Sequence, residues 1–194
     1  MVVSERREKK FRGVLSRRQN DLTVVMENIH DPHNVSAVLR SCDAVGVMKV
    51  ELLYTEEKLP RIGKKSSSSA NKWIDRRVHK SVEECYACLR NEGFTVYAMT
   101  LGTDSVNMHD ANFVRPTALV FGNEHRGVSD EAAEKADARL IIPMMGMVQS
   151  LNVSVAAAVT LYEALRQRVR AGRYDSSSLS GAELEALLAD WVSR

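Results

Sequence analysis

Residues 139–171 run RLIIPMMGMVQSLNVSVAAAVTLYEALRQRVRA. The first four, 139–142, have the apolar, branched character of a short buried strand, and Pro143 stops it because proline cannot donate to a ladder. From Asn152 to about Ala171 the period becomes helical, with Val155, Ala158, Tyr162, Leu165 and Val169 along one face. Between strand and helix stand Met144, Met145 and Met147 around Gly146, then Gln149 and Ser150. An ordinary turn does not concentrate apolar residues in this way. Flexible methionines beside a glycine suit the lining of an adaptable apolar pocket. The first N–H groups of the following helix offer a place for an anion.

Upstream, the same strand–helix alternation repeats. Residues 22–26 (LTVVM), 47–54, 94–99 and 117–121 are strand-like. Val35, Val38, Leu39 and Cys42 follow Pro32 at helical spacing and end at Gly46. Ser81 caps a helix carrying Val82, Cys85, Tyr86 and Leu89 that Gly93 ends, and Ser129-Asp-Glu opens a short acidic helix. Five strands alternating with helices predict an α/β domain with a mostly parallel sheet flanked by helices, here assigned to residues 21–174. Residues 1–20 form a basic N-terminal segment, helical over 4–19. Residues 175–194 form an extension in which Ser180 and Glu183 make a capping-box pair ahead of Leu184, Leu187, Leu188 and Trp191. Residues 64–69 (KKSSSS) have the composition of a mobile loop.

The chain has 194 residues, 44% hydrophobic and 27% charged, which are ordinary values for a globular domain. Its longest apolar run falls far short of the ~20 residues a bilayer span needs. The first residues are charged and lack an apolar signal core, and three cysteines cannot all pair. The expectation is a cytoplasmic protein with no membrane partner.

Net charge is only +2, yet it is unevenly placed. Residues 1–20 carry seven basic and two acidic side chains, residues 58–80 carry eight basic against Asp75, and 166–173 add four arginines with no acid. The remaining body is acidic. Basic surfaces on an acidic body point to a polyanion, because several phosphate contacts and the counterions they release supply affinity.

Other candidate chemistry is weaker. Cys85 and Cys88 form a C-x-x-C, but Cys85 belongs to an apolar helix face and no further ligands accompany the pair, so core packing is the reading. His30 and His33 flank Asp31-Pro32 as a turn, and no metal site is expected. Gly122 to Gly127 (GNEHRG) follows a strand and precedes a helix, where ligands sit in α/β sheets. It lacks the Gly-Lys-Ser/Thr of a phosphate loop, and no G-x-G-x-x-G occurs anywhere. Three polar side chains, Asn123, Glu124 and His125, stand on a turn that needs none.

Three segments together carry a resemblance: NVSAVLR (34–40), FGNEHRGVSDE (121–131) and IIPMMGMVQSLNVSVAAAVTLYEALR (141–166). In order and spacing they resemble the motifs of the SpoU/TrmH family of SPOUT RNA 2′-O-ribose methyltransferases. The basic N-terminal helix running into RRQNDLTVVMENIHDPHNVSAVLR is most similar to members that modify guanosine 18 in the D-loop of tRNA. The resemblance implies a C-terminal trefoil knot, an exception to unknotted topology. It also implies a homodimer whose site draws on both chains, and S-adenosylmethionine bound in the knot. The implied cofactor residues are Met99, Gly122, Ile142, Met144, Gly146 and Leu151, and the implied catalytic set is Asn34, Arg40, Glu124, Ser150 and Asn152. Arg12, Arg17, Arg18, Arg166 and Arg168 are then expected to clamp tRNA phosphates. Methylation of another tRNA or rRNA nucleotide is the nearest alternative, and a non-catalytic RNA-binding protein is the alternative from another class.

Overall fold

The computed structural model describes residues 4–60, 70–102 and 104–194. The expected loop at 64–69 lies outside them. In chain order the elements are α1 (Glu5–Leu15), β1 (Leu22–Glu27), α2 (Pro32–Ala44), β2 (Lys49–Leu53), β3 (Asp75–His79), α3 (Val82–Asn91), β4 (Thr95–Met99), β5 (Val106–Asn107), β6 (Thr117–Phe121), α4 (Asp130–Lys135), β7 (Ala138–Ile141), α5 (Val153–Arg170) and α6 (Gly181–Ser193). The strands form one seven-stranded sheet in the order β3-β2-β1-β6-β4-β7-β5, and every pairing is parallel.

The central strands β1 and β6 are buried along their whole lengths, which is why LTVVME and TALVF are near-continuous apolar runs. On one sheet face Val35, Val38 and Leu39 of α2 and Ala157, Leu161 and Ala164 of α5 pack with Val24, Met26, Leu119 and Phe121. On the other, Val82, Cys85 and Leu89 of α3 and Ala132 of α4 pack with Val25, Val96 and Val120. Local signals set the helix starts. Asp31 accepts from His33 N at 2.8 Å with Pro32 in the first turn, Ser81 accepts from Glu84 N, and Ser180 with Glu183 makes the expected capping box. Gly46 takes φ +85 where a Cβ would stand 2.8 Å from Arg17 O, so only glycine fits that turn.

Three expectations change. The sheet has two strands beyond the five expected, β3 and β5. Both are edges, and β3 (DRRVH) is mostly exposed, so it carries no apolar run to announce it. The face of α5 that turns inward is Ala157, Leu161 and Ala164, leaving Val155 (46%), Tyr162 (54%) and Val169 (55%) exposed.

Arg18 and Arg168, expected to grip phosphates, do not reach the surface. Both are completely buried. Arg168 Nε donates to Phe113 O, Nη1 to Gln19 Oε1 and Asp21 Oδ1, and Nη2 to Asp21 O and Arg115 O, so each of its five donors has a partner. Arg18 donates to Val47 O at 2.7 Å and to Asp43 at 2.6 Å, and its guanidinium lies over the Trp191 ring. A desolvated guanidinium needs its charge and hydrogen bonds met internally, and of the donor nitrogens on these two side chains only Arg18 Nε lacks a hydrogen-bond partner among the described residues. These two arginines staple the segment before β1 to the core and have no free face for RNA.

Helices α1 and α6 pack together through Phe11, Leu15, Leu188 and Trp191. Trp73 completes an aromatic trio, 5.2 Å from Phe11 and 4.9 Å from Trp191 between ring centroids. The C-terminal extension therefore docks on the N-terminal helix of its own chain.

Candidate active site

A cavity of about 490 Å³ opens at the C-terminal ends of β4, β6 and β7. Its size is ordinary for a small-molecule site. Met99, Phe121, Gly122, Ile142, Met144 and Leu151 supply an apolar lining, so five of the six expected cofactor residues meet there. Two loops make its walls. One runs from Gly122 to Ser129. The other runs from Ile142 to Asn152, where Asn152 caps α5 by accepting from Ser154 N at 2.9 Å.

Gly122 is required by close backbone approach. A Cβ there would lie 2.0 Å from Gly127 O and 2.2 Å from Val128 N, so the loop folds back flat against the end of β6 only because residue 122 has no side chain. Inside the loop, Asn123 Oδ1 accepts from His125 N and Arg126 N, while Asn123 Nδ2 donates to Asn28 O at 2.8 Å. Asn28 sits at φ 50, a conformation that asparagine tolerates better than most residues. Its Oδ1 collects the N–H groups of Thr55, Glu56 and Glu57. Asn28 is thus a hub that the sequence reading missed; its only signal is an asparagine directly after a buried strand.

Two polar residues of the lining, Glu124 and Asn152, are bridged by Asn34 of α2. Glu124 Oε1 accepts from Asn34 Nδ2 at 2.9 Å and from Asp31 N at 3.1 Å, and Oε2 accepts from His30 N at 3.0 Å. Asn34 Oδ1 accepts in turn from Asn152 Nδ2 at 3.2 Å. Residues from three distant segments are therefore joined in one line, Glu124–Asn34–Asn152, with Ser150 beside it in the lining. Partial burial raises the Glu124 pKa, but the hydrogen bonds from Asn34, His30 and Asp31 outweigh it and leave the carboxyl below its ordinary range. Glu124 is held as a carboxylate.

Two expected residues stand apart. Gly146 is exposed and does not line the cavity. Its neighbours Met145 and Met147 are 94% and 99% exposed, so Met144 alone of the three methionines lines the pocket. Arg40 is exposed on α2, outside the lining, and has no hydrogen bond or ion pair among the described residues. Of the remaining basic residues, Arg12 pairs with Glu185 on α6, and Arg166 pairs bidentately with Glu163. Those bonds hold the Glu163 carboxyl down to about 2 against the effect of its burial. Arg17 is exposed.

The cysteines take no part. Cys85 is buried in the core, and its thiol is pushed up to about 12 by desolvation. No group of three or more His, Cys, Asp or Glu among the described residues is placed to hold a metal ion.

Comparison with known proteins places this geometry. The profile of the SpoU rRNA Methylase family matches residues 21–162. The chain belongs to that family. Over 189 residues, 97% of each chain, this SpoU methylase is 48% identical to the tRNA (guanosine(18)-2′-O)-methyltransferase of Thermus thermophilus. Its fold is similar to the crystal structure of the A. aeolicus TrmH/SpoU tRNA modifying enzyme, with a TM-score of 0.91 and 41% identity over 97% of this chain and 96% of that one. It is also similar to the SpoU methyltransferase AviRb from Streptomyces viridochromogenes in complex with AdoMet. There the TM-score is 0.70 and identity 26%, over 78% of this chain and 59% of that one. Of the three segments that carry the resemblance, the loop after β6 and the loop before α5 line the cavity, and the α2 segment joins them through Asn34.

Proposed function

We propose that this SpoU methylase transfers a methyl group from S-adenosylmethionine to the ribose 2′-oxygen of guanosine 18 in tRNA. The observation that carries the reading is the line Glu124–Asn34–Asn152 beside a cavity of mixed lining at the sheet's C-terminal edge. Similarity to the Thermus enzyme over nearly the whole of both chains supports the choice of tRNA and of nucleotide.

The residues present fit the cofactor. The cavity is large enough and offers both apolar and polar lining, and Gly122 brings backbone rather than side chain to its wall. Met99, Gly122, Ile142, Met144 and Leu151 would hold it. When bound, S-adenosylmethionine supplies an already activated methyl on a sulfonium. The protein then has to place the acceptor hydroxyl in line and provide for loss of its proton.

Asn34, held between Glu124 and Asn152, fixes the start of α2 against the cavity rim. Ser150 and Asn152 face the ribose. Arg40 supplies the positive charge that stabilises the developing 2′-alkoxide, while the proton leaves to phosphate or water. A guanidinium pKa above about 12 makes arginine a poor base but a permanent cation. Because Arg40 lies outside the cavity of its own chain, we assign it to the site of a second copy. The homodimer reading draws support from the exposed apolar surface of Met145, Met147, Val148, Val155 and Tyr162, which suits burial against another copy.

A trefoil knot is proposed on the resemblance and on the way residues 142–152 and 122–128 wall one cavity before α5 crosses to α2. Residues 1–20 and 175–194 are proposed as additions to a methyltransferase domain at 21–174, with Arg12, Arg17 and Arg166 contacting tRNA phosphates. A cytoplasmic location follows from the tRNA substrate; no helix among the described residues is long and apolar enough to cross a membrane.

The test is transfer of labelled methyl to an unmodified tRNA transcript, with the product nucleotide mapped and ribosomal RNA fragments as competing acceptors. Label on the ribose of guanosine 18 is expected. Label confined to ribosomal RNA, or RNA binding without transfer, would overturn the reading.

A further inference from the structure

Glu27 is the last residue of β1, is 1% exposed, and has no role in the chemistry above. Its two oxygens hold a single residue. Oε2 accepts from Ser129 N at 3.0 Å and Oε1 accepts from the Ser129 hydroxyl at 2.5 Å. The same hydroxyl oxygen accepts from Ala132 N at 3.2 Å and so caps α4. Ser129 is where the loop that begins at Gly122 ends.

The end of β1 grips that loop at two further points. Asn28 O accepts from Asn123 at the loop's start, and the N–H groups of His30 and Asp31 donate to Glu124 in its middle. The loop is otherwise held by Val128, packed against the core on the α3 side, and by Arg126, which pairs with Glu56 and Glu57 at the surface. A second cavity of about 310 Å³ lies behind it, with Glu27, Asn28, Glu56 and Ser129 among its lining. Asn123, Arg126, Gly127 and Val128 line both cavities. A wall that borders a cavity on each side depends on its tethers for its position, because core packing reaches it only through Val128.

We infer that Glu27 is a positioning residue for the cofactor site. Its two-point hold on Ser129 sets the wall 122–128 at the separation from residues 142–152 that S-adenosylmethionine requires. The inference rests on the cofactor reading proposed above. Glu27 touches neither cofactor nor RNA and acts through the loop.

The experiment compares S-adenosylmethionine affinity by calorimetry with tRNA affinity by filter binding, well below the melting temperature of each protein. The proteins are wild type, Glu27→Gln, Ser129→Ala and Ser129→Thr. Glu27→Gln keeps the shape but turns one acceptor into a donor, and Ser129→Ala removes the hydroxyl. Each is expected to weaken S-adenosylmethionine binding about tenfold, the scale of one charge-assisted hydrogen bond, with tRNA affinity within about twofold of wild type. Ser129→Thr, which restores the hydroxyl, is expected to bind the cofactor like wild type. A Glu27→Gln protein that binds cofactor as wild type does would overturn the tether, and so would cofactor and tRNA affinities that fall together. Wild type that fails to bind S-adenosylmethionine would instead overturn the cofactor reading, and the tether with it.

Discussion

The side-chain amide of Asn34 donates to the Glu124 carboxylate at 2.9 Å, joining the first turn of α2 to a loop that lies 90 residues further along the chain. The bond helps keep Glu124 ionised, and Glu124 in turn fixes the two peptide N–H groups that lead into α2. Replacing Asn34 by Asp would set two carboxylates side by side, which raises the pKa of one of them. We expect Asn34→Asp to lose more activity than Asn34→Ala and to move the acid limb of its pH–rate profile upward. An unchanged acid limb in Asn34→Asp would refute the pairing.

The same carboxylate gives stability a defined pH dependence. A group whose folded pKa is below its unfolded value, here about 4.5, adds stability that is complete above the unfolded pKa and lost as pH falls through the folded one. Urea unfolding at a series of acidic pH values should therefore show Glu124→Gln less stable than wild type near neutrality. The two proteins should converge as the pH drops below the ordinary carboxylate range.

Arg40→Ala should retain tRNA binding and lose on the order of 10²-fold or more in kcat, the scale of removing one group that stabilises transition-state charge. If Arg40 serves the second copy's site, mixing inactive Arg40→Ala with inactive Glu124→Ala subunits forms hybrids with one intact site. Recovered methyl transfer in the mixture is expected. Its absence, with exchange of subunits verified, would place Arg40 in the site of its own chain.

Two arginines of the same sequence type should fail in opposite ways. Arg168→Ala takes the buried cation from Asp21, which keeps only the exposed Arg173, and leaves Phe113 O and Gln19 Oε1 without that donor, and should cost ~3–5 kcal/mol in urea unfolding. Arg17→Ala should leave stability unchanged and lower the salt slope of tRNA binding by about one. Loss of tRNA affinity without loss of stability in Arg168→Ala would reverse the assignment.

Gly122→Ala should abolish cofactor binding even where the protein still folds, because its Cβ would collide with the backbone of Gly127 and Val128 rather than with a movable side chain. Calorimetry with S-adenosylmethionine beside circular dichroism of the fold separates the two effects.

Much of this fold was legible in the sequence because parallel strands buried on both faces must be apolar throughout, as in residues 22–26 and 117–121. Edge strand β3 was illegible for the converse reason. DRRVH has charged side chains on an exposed edge, where Arg77 pairs with Glu51 and Glu92, and the segment looked like part of a basic run. The cavity residues were found through their motifs. What motif and composition did not distinguish was a guanidinium facing solvent from one facing the core: Arg17 and Arg18 are adjacent, yet one is exposed and the other buried. That difference arises from tertiary contacts with Asp43, Val47 and Trp73. Glu27 was missed for a similar reason, since a carboxylate after an apolar strand looks like the return to solvent.

The place of β6 in the sheet has a consequence for synthesis of the chain. Leu22 pairs with Thr117 and Val25 with Val120, so one edge of β1 finds its partner only after almost a hundred further residues have left the ribosome. Strand β2 can dock on the other edge, and β3 on β2, much earlier. During that interval LTVVM presents an unpaired apolar edge of the kind that templates aggregation. Slow translation between residues 80 and 121 would lengthen the exposure, and chaperone demand should peak on nascent chains that end in that window.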